Sequence, residues 1–153
     1  MNNFYKSIFH FWALFLMPFI ICATHNRAGE ITYRQTSSLG IEMTIITYTK
    51  ASSVAADRDS LDVYWGDGTN QFVKRDNSKT RFEPNDIKIN YYIASHTYPG
   101  AATYTISFLD PNRVGGILNV NYPNSIDIPF FLSTTFTLLD QQFQGFNNSA
   151  VLL

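Results

Sequence analysis

Glu30-Ile-Thr-Tyr-Arg-Gln-Thr-Ser-Ser-Leu-Gly-Ile-Glu-Met-Thr-Ile-Ile-Thr-Tyr-Thr49 reads as a strand, a turn and a second strand. Ile31 and Tyr33 alternate with Glu30, Thr32 and Arg34, the period of two that a half-buried strand requires. Ser37-Ser-Leu-Gly40 is a turn signal. Ile41 to Thr49 is rich in β-branched and aromatic residues, which suit a pleated surface. The second run is expected to return antiparallel to the first. Nothing beyond Glu30 shows a 3.6-residue stripe.

Further along, the same pattern repeats. Lys50 to Arg58 is small and polar around Val54-Ala-Ala56, a loop with room for one helical turn. Leu61 to Trp65 reads as a third strand that runs into Gly66-Asp-Gly68, where Asp-Gly favours the positive φ angles of a tight hairpin. Gln71 to Lys74 returns from it, and Arg75 to Thr80 is a polar loop. Ile87 to Ile93 alternates, Thr103 to Phe108 follows, and Asp110-Pro-Asn-Arg113 is a turn. Ile117 to Asn121 and Ile128 to Leu139 are expected to complete the set. Some eight short strands with turns every 8–12 residues indicate an all-β antiparallel sandwich.

The amino terminus is of a different kind. Residues 1–10 carry Lys6 and no acid, and Phe11 to Ala23 is uncharged and largely apolar. A positive start, roughly 7–15 apolar residues and a small residue at the cut make a secretory signal. A spanning anchor needs about 20 apolar residues, and Pro18 interrupts this shorter run. Residues 1–23 are therefore expected to be a cleaved signal peptide, and the mature chain to be extracellular or on the cell surface, meeting the membrane only during export. A lipidated Cys22 fits less well, because Ile21 stands where a small residue is usual. Cys22 is the one cysteine, so its departure with the leader removes disulfides, thiolate catalysis and cysteine metal sites.

Loss of Lys6 shifts the formal net charge from −1 to −2, which does not suit a nucleic-acid surface. The roughly 130 residues left suit one domain, residues 24–140. At the far end, Phe130 to Leu139 is long for a final strand, and the sequence stops at Val151-Leu-Leu153. Residues 141–153 read as the start of a linker or following strand of a longer protein, or as apolar residues that pack on this domain.

Two segments then stand together: Val63-Tyr-Trp-Gly-Asp-Gly68, and His96-Thr-Tyr98 with Tyr104-Thr-Ile106. The pair resembles the polycystic-kidney-disease (PKD) repeat, an immunoglobulin-like module with a Trp-Asp-Phe-Gly-Asp-Gly segment, a His-x-Tyr and a strand-opening Tyr. Trp65 stands where that family usually has Phe, and Val63 where it has Trp. Ala23 to Tyr33, Ala55 to Leu61, Asp110 to Arg113 and Gln144 to Ala150 also resemble the start of large surface proteins of gliding-type Bacteroidetes, which are exported by type IX secretion. The resemblance implies an immunoglobulin-like (PKD-type) sandwich that acts as a structural, adhesive or spacing module, with neighbouring domains or other surface proteins as partners. Trp65, Gly66, Asp67, Gly68, His96, Tyr98 and Tyr104 would then hold the fold.

The residues support those roles in their own terms. Asp67 can accept N–H bonds inside its turn while the glycines beside it take conformations that L-residues resist. Trp65 and Tyr64 alternate, so one should enter the core and the other face outward. His96 and Tyr98, expected to lie before a strand, could tie a corner to the backbone.

Reactive chemistry finds less support. Asp57, Asp59, Asp62 and Asp67 fall close together in sequence, and Asp110 lies in a later turn. Calcium takes six to eight oxygens, and some PKD-like modules bind it near such loops. Arg58 between two of these acids suggests instead a solvated, self-neutralised loop. Cleavage after Cys22 would expose Ala23-Thr-His25, a set of nitrogens suited to copper; cleavage after Ala23 destroys it. No Gly-x-Ser-x-Gly or His-Glu-x-x-His occurs, and Ser95 and His96 should point to opposite faces, so no enzyme is expected. Tyr64, Tyr91 or Tyr92, and Tyr122 could form an aromatic platform for glycans, or pair across strands. Asn147-Asn-Ser149 and Asp59-Ser-Leu61 match short glycosylation patterns.

Overall fold

A computed structural model describes residues 25–139. The signal peptide expected over residues 1–23 and the linker or strand expected over 141–153, with Asn147 to Ser149, lie outside the described residues. Eight strands form: β1 (Asn26–Gln35), β2 (Gly40–Lys50), β3 (Ser60–Tyr64), β4 (Asn70–Lys74), β5 (Arg81–Glu83), β6 (Ile87–Thr97), β7 (Thr103–Asp110) and β8 (Phe130–Thr137). They make two four-stranded sheets, β1-β2-β6-β5 and β4-β3-β7-β8, with every neighbour antiparallel. The all-β sandwich-like architecture expected from the alternation is present.

The inward face of β2 presents Ile41, Met43 and Ile45. Across from it lie Val63 of β3, Ile106 and Phe108 of β7, and Phe130 and Phe136 of β8. Burial of such side chains stabilises each by roughly 1.5–3 kcal/mol. The sheets also meet where the chain continues from β4: Arg75 bridges to Tyr92, and the Asp76 N–H donates to the Tyr91 carbonyl.

Several local expectations need correction. β1 starts at Asn26, not Glu30, carried past Ala28 by a register shift. Ile117 to Asn121 is not a strand. Gly116 and Asn121 take positive φ, and the Ser125 hydroxyl accepts the Ile117 N–H and donates to the Val114 carbonyl, so this backbone is satisfied by a turn. His96 lies inside β6, not ahead of the next strand. The three-residue edge strand β5 was too short for periodicity to show, while Val54–Ala56 takes up, as a 3-10 helix, the one helical turn for which that loop had room.

The registers give the sandwich two distinct ends. Thr49, Ile87, Lys74, Asp110 and Phe130 mark one end; Gly40, Thr97, Tyr64, Thr103 and Thr137 mark the other. The chain enters β1 at the first end and leaves β8 at the second.

Candidate functional site

At the β8-exit end, the turn after β3 organises the motif residues. The Trp65 N–H donates to the Thr69 carbonyl (3.0 Å) and closes the hairpin. Positive φ falls on Gly66 (85°) and Gly68 (90°), not on Asp67. Asp67 Oδ1 accepts from the Thr69 N–H (3.0 Å) and hydroxyl (2.6 Å), and Oδ2 lies 2.7 Å from His96 Nε2. A carboxylate only accepts, so Nε2 carries the hydrogen. Burial pushes the Asp67 carboxyl up, but the Thr69 and His96 bonds outweigh it and hold the group at about 2.

Aromatic stacking continues inward from this dyad. Trp65 is buried at 1% exposure while Tyr64 stays half exposed, as alternation requires. His96 stacks on Trp65 with planes 7° apart and meets Tyr98 edge-on. Tyr98 stacks on Tyr104 at 4.0 Å. The buried Tyr98 hydroxyl donates to the Trp65 carbonyl (3.0 Å), joining the two sheets, and burial raises its pKa. Tyr98 thus ties the β6–β7 corner to the backbone, and Tyr104 adds a local tie, its hydroxyl donating to the Gly100 carbonyl (2.8 Å); His96 bonds the Asp67 side chain instead. Trp65, Gly66, Asp67, Gly68, His96, Tyr98 and Tyr104 are thus brought together. Ser95 points outward, away from the His96 side of the strand.

The opposite end is polar, and the sequence reading missed most of it. Arg75, 8% exposed, donates from Nη1 to Asp57 Oδ1 and from Nη2 to Asp59 Oδ1, both at 2.7 Å. Its Nε donates to Asn77 Oδ1 at 2.8 Å. Lys88 Nζ reaches Asp57 Oδ2 at 2.7 Å. Burial raises the Asp57 pKa, but the Lys88 and Arg75 bonds win and lower it. Buried Asn90 donates to the Thr49 hydroxyl (3.0 Å), and Tyr92 donates to the Arg58 carbonyl (2.7 Å); burial drives the Tyr92 phenol up to about 12. Arg58 Nε donates to buried Asp110 (3.0 Å), which also accepts the Asn112 N–H (2.8 Å). No local signal marks this cluster, because Lys88, Asn90 and Tyr92 form the more polar side of the β6 alternation.

This geometry redraws the ligand candidates. The five carboxylates suggested for calcium are dispersed: Asp57 and Asp59 on Arg75, Asp62 beside Asn70, Asp67 on His96, and Asp110 on Arg58. Among the described residues, no group of three or more metal-ligating side chains comes together. His25 is buried, so its imidazole would have to be withdrawn to complete a terminal copper site. The proposed tyrosine platform does not assemble either. Tyr92 is buried, and Tyr91 lies on the outer face of the other sheet from Tyr64. The outer face of β4-β3-β7-β8 instead exposes Tyr64, Phe72, Leu109 and Phe131, with Phe72 opposite Asp62 and Leu109 opposite Phe131.

No family model matches this chain, and no curated protein or solved structure is detectably similar to it.

Proposed function

We propose that the chain is a non-catalytic, PKD-type immunoglobulin-like module of an exported bacterial surface protein, and that it works as a spacer or adhesive unit. The observation that carries this reading is the placement of its two ends. β1 and β8 are edge strands of different sheets, and the described chain enters at one end of the strands and leaves at the other. Tension between neighbouring domains would run along the strands and load the β1–β2 and β7–β8 ladders in shear. The motif residues bond to one another across the sheets and suit a mechanical role better than a reactive one. No calcium and no other cofactor is required by this reading.

The test is single-molecule extension of the chain between flanking handles. One cooperative rupture that releases the length of the described residues, about 400 Å at 3.3–3.6 Å per residue, is expected. Gradual extension without a rupture would overturn the spacer role.

A second reading has its own observation. Tyr64 and Phe72, with Asp62 and Asn70 beside them, form an exposed aromatic and polar face, which suits the stacking and hydrogen bonding of a glycan. Retention on insoluble polysaccharide that is lost in both Tyr64→Ala and Phe72→Ala would favour it.

A further inference from the structure

His25 and Asn26 form a strap between the sheets at the polar end. The His25 carbonyl accepts the Lys50 N–H (2.9 Å). The Asn26 N–H and its side-chain Nδ2 both donate to the Asn112 carbonyl (3.0 Å each), and the Asn26 carbonyl accepts the Val114 N–H (2.9 Å). The strap therefore joins β2 of one sheet to the loop that follows β7 of the other. Beneath it the His25 ring is 2% exposed, and neither ring nitrogen has a hydrogen-bond partner among the described residues.

The groups facing that ring are already matched with one another. Asp57 and Arg58 come from the loop before β3, Lys88 from β6 and Asp110 from the end of β7. Arg75, just past β4, shares Asp57. Asp57 Oδ1 lies 3.7 Å from Nε2, but its two oxygens hold Arg75 and Lys88, and Asp110 holds Arg58. A proton on His25 would add a buried cation beside carboxylates that three permanent cations already neutralise, and an uncompensated buried charge is costly.

We propose that His25 is an acid-sensitive latch. The neutral imidazole keeps the strap docked between the sheets, and protonation expels the ring and frees Asn26 from Asn112 and Val114. Burial lowers the His25 pKa below 6.5, with Asp57 and Asp110 opposing it only in part. The unfolded or undocked chain therefore binds the proton more readily, and docking weakens as pH falls below about 6.5. The latch is independent of whether the module acts as a spacer or binds glycans.

Amide hydrogen exchange on the full chain, corrected for intrinsic rates, tests it. Protection of the Asn26, Lys50 and Val114 amides should fall several-fold between pH 7.5 and pH 5.0, because the undocked ring binds the proton more readily. Core amides such as Ile45 and Ile106 should keep theirs, and the strap of His25→Phe should lose its pH dependence. Should that variant fail to fold, His25→Gln serves instead. Unchanged wild-type protection, or an equal fall in the variant, overturns the latch. So does an NMR titration of the His25 ring with a midpoint at or above 6.5.

Discussion

The His96 imidazole lies flat on the Trp65 indole, with ring centroids 4.6 Å apart, while its Nε2 meets Asp67 at 2.7 Å. One ring therefore connects a hairpin of one sheet to the central β6 strand of the other. Its face provides packing, its edge provides a hydrogen bond, and the carboxylate that receives that bond is itself fixed by Thr69. Neither contact would hold the turn in place as well alone.

Asp67→Asn should therefore destabilise the chain by about 1.5–3 kcal/mol, the range for hydrogen bonds to a charged group. The folded pKa of about 2 lies below the ordinary aspartate value of 3.8. The stabilisation is complete above that value and disappears as pH falls through about 2. Urea unfolding of both proteins should show a gap at pH 7 that narrows between pH 4 and pH 2. A gap that is absent at pH 7, or that widens in acid, would contradict the structural role.

Gly66 and Gly68 should respond differently to alanine although both have positive φ. A Cβ on Gly66 would come within 2.5 Å of the Thr105 carbonyl oxygen and 2.7 Å of its nitrogen, both backbone atoms that cannot swing aside. A Cβ on Gly68 meets nothing within 4 Å. Gly68→Ala should cost only the conformational penalty, roughly 1–2 kcal/mol. Gly66→Ala should cost clearly more, because β3 and β7 must separate to admit it. Equal melting temperatures for the two variants would show that the close approach to Thr105 is not maintained.

These residues also show how far the sequence could be read. Period-two runs located most strands, and Gly66-Asp-Gly68 announced the turn whose glycines have positive φ. The face of β6 was not readable. Ile87, Ile89, Tyr91 and Ile93 form the more apolar side of the alternation, yet it is the Lys88, Asn90 and Tyr92 side that enters between the sheets. That inversion is stable only because Asp57, Thr49 and the Arg58 carbonyl, remote in sequence, supply partners. Pairings of that kind depend on tertiary contact and leave no local signature. Ile117 to Asn121 misled for a related reason, since a buried hydroxyl at Ser125 satisfies backbone that would otherwise seek a strand partner.

Arg75 is the residue whose loss should affect the polar end most. Its planar fork serves Asp57, Asp59 and Asn77 at once, and a lysine ammonium cannot reproduce that geometry. Arg75→Ala should destabilise by about 3 kcal/mol, as expected when one partner of a buried pair is removed. Arg75→Lys should recover only part of it. Thermal unfolding of the three proteins at pH 7 checks the order, and full recovery by lysine would mean that charge alone, not the fork, holds the cluster.

Calcium should leave the melting temperature unchanged. A bound ion needs six to eight oxygens from groups that converge, whereas Asp57 and Asp59 are held by the shared Arg75, and Asp62, Asp67 and Asp110 by Asn70, His96 and Arg58 elsewhere. To ligate calcium, Asp57 would have to give up Arg75 and Lys88 and leave two cations buried beside the ion. A ligand specific for the folded state at a hundred times its Kd adds ~2.7 kcal/mol of stability, a shift that a melting curve resolves easily. Identical curves in calcium and in chelator are the expected result. A calcium-dependent rise would mean that the Arg75 cluster rearranges, and Arg75→Lys should then bind the ion more tightly than wild type.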